Sequence, residues 1–277
     1  MRIAEYVGPS GEPRVGLVSG GNVRDIGSGT VHAFLQQDNW TTRASQAAGD
    51  ELVLNDVQLR PLLGDTGRVF AIGLNYEKIY PAGKQPPMPK FPPWFGKMPG
   101  TLVAHDEAVV APTISETFDY EAELAAVIGV GGRHIAVDDA LDHVAGWTCL
   151  NDGSVRAWQR HSVNAGKNFE RSGSIGPWMV TADEIVDPQN LRLMARVDGQ
   201  VRQDASTASM IFTVAEIIAY LSQSIELRPG DVIATGSPEG TGGSFDPPRF
   251  LLPGQVVEIE IEGIGVLRNT VVAELTP

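Results

Sequence analysis

The run Asp119-Tyr120-Glu121-Ala122-Glu123-Leu124-Ala125-Ala126-Val127-Ile128-Gly129 constrains the fold more than any other part of this sequence. Read as a strand, its side chains alternate between two faces. Tyr120, Ala122, Leu124, Ala126 and Ile128 make one apolar face, and Glu121, Glu123, Ala125 and Val127 make the other. That second face begins acidic and becomes apolar, which a solvated face need not do. Two carboxylates on one face repel each other unless a cation or a proton lies between them. The plainer reading is an edge strand with a wet, acidic end.

Extended patterns dominate the rest of the chain. EAVVAP (107–112), VAGWTCLND (144–152), LRLMARV (191–197), DVIATG (231–236) and VVEIEIEGIGVLRN (256–269) all read as strands, and Asp198-Gly199 is a strong two-residue hairpin signal. Helical spacing is sparse: VHAFLQQ, VDDALDHVAG, SVRAWQRH and TVAEIIAYLSQ, the last with Val214, Ile217, Ile218 and Leu221 on one face. The order is not an alternation of strand and helix, so a doubly wound nucleotide fold is disfavoured. The pattern predicts an α+β, β-rich protein, with a small β-rich N-terminal domain over residues 1–66 and a larger domain over 67–277. Residues 75–100 hold seven Pro and four Lys, a density that forbids a long helix or a central strand and reads as a structured loop or lid.

Composition narrows the function. The formal net charge of −13 disfavours nucleic acid or an anionic membrane surface as a partner. A single Cys149 suits a reducing cytoplasm, and no apolar run approaches the roughly 18 residues that span a bilayer. None of the Gly-Lys pairs completes a phosphate-cradling loop, no Ser sits in Gly-x-Ser-x-Gly, and no His is followed by Glu. Carboxylate chemistry remains.

The strand GWTCL runs into Asn151-Asp152, and SVRAWQRH begins a helix. Asp152, Arg156 and Gln159 would share one face of that helix. Asp152 as a helix cap paired with Arg156 explains two residues but leaves Glu121 and Glu123 unexplained. Three carboxylates without imidazole or thiolate make a hard oxygen site suited to Mg²⁺ or Mn²⁺, with Ca²⁺ a weaker fit for catalysis. Lys97 and Lys167, each after a Gly, are candidates for the same pocket. Cys149 is expected in the core, and His134, His143 and His161 at the surface or in packing. Trp94 and Phe95 would pack the Pro-rich loop against the body.

GLNY (73–76), FGK (95–97), DYEAELAAVIG (119–129), VAGWTCLNDGSVRAWQ (144–159), GKNFERSGSIGPWMVT (166–181), VDGQVRQ (197–203), PGDVIATGSPEG (229–240) and EIEGIGVLRN (260–269) together resemble the fumarylacetoacetate hydrolase family. The resemblance spans roughly residues 68–273 in the family's order. It implies a mixed β-sandwich roll, usually homodimeric, with one Mg²⁺ or Mn²⁺ per chain held by Glu121, Glu123 and Asp152. It implies substrate contacts from Arg156, Gln159, Lys167, Tyr76 and Ser237, the last standing where the family usually has Thr. Arg156 and Lys167 would also be catalytic.

The resemblance breaks at one point. The family commonly has Asn-Tyr-x-x-His, whose His helps to activate a water; here the segment is Asn75-Tyr76-Glu77-Lys78-Ile79. Ile79 cannot accept a proton. The family's usual substrate is a 2,4-dioxo acid such as an acylpyruvate or fumarylpyruvate, cleaved at a C–C bond through a stabilised enolate. A general base contributes on the order of 10²–10⁴-fold, so its loss would weaken hydrolysis without abolishing it. Glu77, Tyr80 or His105 could replace the base, or the cation could activate the water. Otherwise the site would serve decarboxylation of an oxaloacetate-like 2-oxo acid or keto–enol isomerisation. A non-catalytic metal-binding relative is the third reading.

Overall fold

A computed structural model describes residues 1–63, 67–77 and 87–275. At the N-terminus, turn clusters cut the chain into a meander of β1 (Arg2–Val7), β2 (Pro13–Ser19) and β3 (Asn22–Ser28). Two short helices follow, α1 (Val31–Leu35) and α2 (Trp40–Gln46), and then β4 (Glu51–Val53), which pairs with β3. The Thr30 hydroxyl starts α1 by accepting from the Ala33 N–H at 3.1 Å.

The body adds β5 (Val69–Ile72), β6 (Trp94–Lys97), β7 (Leu102–Val103), β8 (Val109–Ala111), β9 (Phe118–Asp119), β10 (Ala122–Ile128), β11 (Val144–Asn151) and β12 (Ser154–Val155). After α3 (Arg156–Gln159) and α4 (Val163–Lys167) come β13 (Gly173–Thr181), β14 (Arg192–Val197) and β15 (Gln200–Ser206). The long α5 (Val214–Ser224), β16 (Val232–Ala234), β17 (Val256–Ile261) and β18 (Gly265–Ala273) complete it. Among the described residues, one mixed sheet runs β4-β3-β2-β1-β13-β11-β10-β16-β5-β6, with β7 beside β13. The second sheet runs β15-β14-β17-β18-β8. The N-terminal meander therefore continues the large sheet, through β1 paired to β13.

The two sheets stack in a β-sandwich, and the alternation along β10 shows how. Leu124, Ala126 and Ile128 join Trp147 and Cys149 of β11 in a core shared with Leu193, Val257 and Leu267 of the smaller sheet. Ala125 and Val127, on the opposite face, pack instead with Leu150, Val232, Ala234 and the N-terminal residues Val31, Phe34 and Leu35. All seven residues of β10 are buried. This strand lies between β11 and β16, so it is not a wet edge. Glu121 and Glu123 share the face that carries Ala125.

Several local expectations meet the structure directly. Asp198 and Gly199 form the β14–β15 turn, both with positive φ (51° and 74°), as a tight hairpin requires. The helix TVAEIIAYLSQ is α5, opened by a reciprocal capping box between Thr213 and Glu216. Within the Pro-rich stretch, β6 is the last strand of its sheet, where missing N–H donors cost least. The segment VDDALDH forms a 3₁₀ turn over Val137–His143 rather than an α-helix. The helix expected from Asp152 starts only at Arg156, because Ser154 and Val155 pair with β9 as a strand. Asp152 thus precedes the helix and shares no helical face with Arg156 and Gln159. Ile79 and Tyr80 lie outside the described residues. No helix among the described residues is long and apolar enough to cross a membrane.

Ile218 of α5 is fully buried in the sandwich core. Truncating it to Ala should lower unfolding stability by about 2–5 kcal/mol, measurable by denaturant titration with an unchanged m-value.

Candidate metal and active site

The antiparallel register of β10 and β11 assembles the acids. Ala122 faces Asn151 and Glu123 faces Leu150. One step further, the Asp152 N–H donates to the Glu121 carbonyl at 2.9 Å, so Asp152 lies across from Glu121. Asparagine at 151 reinforces the join, its Oδ1 accepting from the Glu121 N–H at 3.1 Å. Glu121, Glu123 and Asp152 are all buried, and one carboxylate oxygen from each lies within 4.8 Å of the others.

Like charges placed directly across a sheet destabilise it unless something intervenes. Lys167 does so. Its Nζ lies 2.6 Å from Glu121 Oε2 and 2.6 Å from Asp152 Oδ2. The ammonium is delivered by the last residue of α4, a helix capped by Ser162 and packed so closely on α3 that a Cβ on Gly166 would stand 2.6 Å from the Gln159 nitrogen. Phe95 flanks the ammonium, with its ring centroid 5.6 Å away. Lys97, at the end of β6, places its ammonium 2.9 Å from Asp152 Oδ1 and also donates to the Lys167 carbonyl. Arg156 Nη1 lies 2.6 Å from Glu121 Oε1, and Gln159 Oε1 accepts from the same guanidinium at 3.3 Å.

Burial would lower the pKa values of Lys167 and Arg156, but the adjacent carboxylates overcome it and both groups are held charged. Glu123 differs. Among the described residues it has no ion pair, only the Gly236 N–H donating to Oε2 at 2.8 Å. Burial, then the charges of Asp152 and Glu121, push its carboxyl well above the usual carboxylate range. A divalent cation would remove that penalty. The donor set is all carboxylate oxygen, buried and convergent, so the residues fit a hard divalent cation.

Gly236 reaches Glu123 because the backbone there has φ +95°, and a Cβ would stand 2.7 Å from the Asn75 Cβ. Asn75 clamps the surrounding loops, donating to the Thr235 carbonyl at 2.7 Å and accepting from the Phe212 N–H at 2.7 Å. Next to it, Tyr76 is buried, and its hydroxyl has no hydrogen-bond partner among the described residues. Burial and the charge of Glu123 raise its pKa. Ser237 is also buried, and its Oγ accepts from Gln203 Nε2 at 2.9 Å.

Residues 68–272 match the family described as fumarylacetoacetate (FAA) hydrolase, C-terminal. The chain belongs to that family. A Burkholderia lata protein provisionally named a hydrolase is 39% identical over 278 residues, covering 96% of each chain. Among solved structures, maleylpyruvate hydrolase from Sphingobium sp. SYK-6 is similar with a TM-score of 0.84 at 28% identity, covering 99% of this chain and 100% of its own. The 2-hydroxyhepta-2,4-diene-1,7-dioate isomerase from Mycobacterium marinum has a TM-score of 0.80 at 30% identity and full coverage of both chains. The fumarylacetoacetate hydrolase family therefore accounts for the β-rich sandwich, and fold relatives of this chain include a hydrolase and an isomerase by name.

The structure brings Glu121, Glu123, Asp152, Arg156, Gln159, Lys167 and Lys97 into one cluster. Ser237 and Tyr76 border it through Gly236 and Glu123. Glu77 is exposed and makes no hydrogen bond to the cluster among the described residues. His105 lies elsewhere, its ring 3.3 Å from Asp106 and accepting from the Arg268 N–H.

Two buried residues in this site escaped the sequence reading. Asp119 accepts from Arg156 Nε at 2.7 Å and from the Gly242 and Gly243 N–H groups at 2.7 and 2.9 Å. Gln203 holds Ser237 and the Pro238 carbonyl through Nε2, while its Oε1 accepts from the Ala122 N–H at 2.9 Å. Both stand inside the quoted motifs, but their targets are distant in sequence. Replacing Asp119 with Ala would remove one of the two carboxylates that hold the Arg156 guanidinium and would unpair the Gly242 and Gly243 amides, the first of them buried. The expected destabilisation is about 3–5 kcal/mol, read by chemical denaturation.

Proposed function

We propose that this protein is a divalent-metal-dependent hydrolase that cleaves a C–C bond in a 2,4-dioxo acid of the acylpyruvate or fumarylpyruvate class, releasing an enolate fragment. One observation carries the reading: three buried carboxylates and the fixed cations Arg156 and Lys167 converge near two hydroxyls, that of Tyr76, which has no hydrogen-bond partner among the described residues, and that of Ser237, whose oxygen accepts from Gln203. The names of the two solved relatives add support, since both describe enzymes acting on oxygenated carboxylic acids.

Glu121, Glu123 and Asp152 would hold one Mg²⁺ or Mn²⁺ per chain, which when bound supplies Lewis-acid stabilisation of the negative charge that develops on the oxo acid. Arg156 and Lys167 add fixed positive charge at the same place, preorganised by their carboxylate partners before substrate arrives. Gln159 orients the Arg156 guanidinium. The Ser237 hydroxyl, held from behind by Gln203, is free to donate its own proton to the substrate carboxylate. Tyr76 is kept protonated by burial and donates to a carbonyl oxygen of the substrate. Glu77, two residues beyond Asn75, takes the proton from the attacking water. The reading carries with it a cytoplasmic homodimer that engages neither nucleic acid nor bilayers.

A decarboxylase or keto–enol isomerase on the same residues is the second reading. It is favoured by the fact that none of the five histidines shares a hydrogen bond or ion pair with the cluster among the described residues. Incubation with Mg²⁺ or Mn²⁺ and acylpyruvates should abolish the enol ultraviolet band and yield pyruvate plus the matching acid. Carbon dioxide release from oxaloacetate above the metal-only rate, without acylpyruvate cleavage, would instead establish the second reading. Under the first, Lys167→Met should lower kcat by about 10²–10³-fold.

The metal site also carries a pH signature. A carboxyl whose folded pKa is raised stabilises the metal-free fold below its unfolded pKa and loses that contribution as pH rises through the folded value. Cation binding replaces the lost proton. The gain in Tm from added Mn²⁺ should therefore grow with pH above the ordinary carboxylate range. In Glu123→Gln that growth should flatten, and Mn²⁺ affinity by calorimetry should fall at least about tenfold. A pH-independent gain in the wild type would contradict the assignment.

A further inference from the structure

A cavity of about 650 Å³, a size suited to a small organic ligand, is lined in part by Tyr76, which borders the cluster at Glu123. Tyr76 and Pro238 are among its lining residues. Tyr76 borders Glu123 and also lines the cavity, and among the described residues its buried hydroxyl has no partner. Pro238 follows Ser237 directly, and Gln203 bonds both. The wall is apolar at Met210 and Ile211, and it is fastened to the Asn75–Tyr76 segment by the isolated Tyr76–Met210 bridge and by the Ile211 N–H donating to the Asn75 carbonyl at 2.8 Å. A molecule whose oxo-acid head sits at the cluster would extend its far end into this cavity.

Among the described residues, the charged side chains that line the cavity are Glu77, Asp204 and Glu239, all acidic. Asp204 is neutralised by a two-pronged bond from Arg192, with contacts of 2.8 and 2.7 Å. Glu77 and Glu239 have no ion pair among the described residues. The two ends of the site are therefore opposite in character. In the head region Arg156, Lys167 and Lys97 offset the buried carboxylates, and a bound divalent cation would leave it net positive, whereas the tail region offers, among the described residues, apolar walls and two carboxylates without an ion pair.

We propose that this cavity is the acyl-tail pocket and that Glu77 and Glu239 make the protein select dioxo acids with an uncharged, apolar tail over those whose tail ends in a second carboxylate. The inference rests on the proposed acylpyruvate reading for the head and adds the tail class. Discrimination of this kind works by repelling the wrong ligand as much as by attracting the right one. A like charge set against an interface group commonly costs enough to change affinity by at least about tenfold.

The test compares two acids of equal length, 2,4-dioxooctanoate and 2,4-dioxooctanedioate, which differ only in a terminal methyl or carboxylate. Binding of each to the Mn²⁺-loaded protein is measured by calorimetry, and turnover by the enol band. The wild type should favour the monoacid at least about tenfold in Kd or kcat/KM, a preference that shrinks at high salt. In Glu239→Lys the ratio of diacid to monoacid should rise at least about tenfold, and in Glu239→Gln by a smaller factor in the same direction. Equal or better handling of the diacid by the wild type overturns the proposal. So does a ratio that neither variant moves. If both acids bind with the predicted preference but neither is cleaved, the hydrolytic reading fails while the tail assignment stands.

Discussion

The arrangement depends on a balance of buried charge. Asp119, Glu121, Glu123 and Asp152 are removed from water and set against Arg156, Lys167 and Lys97. Such groups are tolerated only when paired and hydrogen-bonded, because their desolvation is expensive. Lys167 spans Glu121 and Asp152, Arg156 spans Asp119 and Glu121, and Lys97 secures the far oxygen of Asp152. Glu123 is the acid left over. Its raised pKa and the fit for a divalent cation have the same origin, a carboxylate buried among other carboxylates with no ion pair of its own among the described residues.

Much of the remaining polar structure fixes the positions of those charges. Asp119 ties Arg156 to the Gly242–Gly243 turn, Asn75 ties the GLNY loop to the Thr235 and Phe212 backbone, and Gln203 ties Ser237 to β10. Each of these buried side chains uses several of its donors or acceptors on backbone groups, which locks its rotamer. That rigidity suits a site expected to stabilise charge by preorganisation rather than by rearranging around substrate.

A good part of this was legible in the sequence. The alternation along residues 119–129 separated an apolar face from an acidic one, and the structure keeps both faces distinct on β10. The Asp198-Gly199 hairpin and α5 also followed from local chemistry, since turn and capping signals act within a few residues. The helical grouping of Asp152, Arg156 and Gln159 did not survive. Pairing of Ser154 and Val155 with β9 is a long-range preference that no local spacing announces. Asp119 and Gln203 were passed over for a similar reason: their partners lie tens to more than a hundred residues away.

The sequence by itself determined the kind of chemistry available: oxygen ligands without thiolates or clustered imidazoles, strands rather than an alternating βα pattern, and a family resemblance along most of the chain. These properties reside in residue type and local order. Only the tertiary structure decided which charges meet. Register placed Asp152 across from Glu121, α4 carried Lys167 into the gap, and β6 brought Lys97 to the far side. Electrostatic interactions fall off with distance and sharpen with burial. Their outcome was therefore fixed by where the chain folded each group, and that is information a linear pattern does not hold.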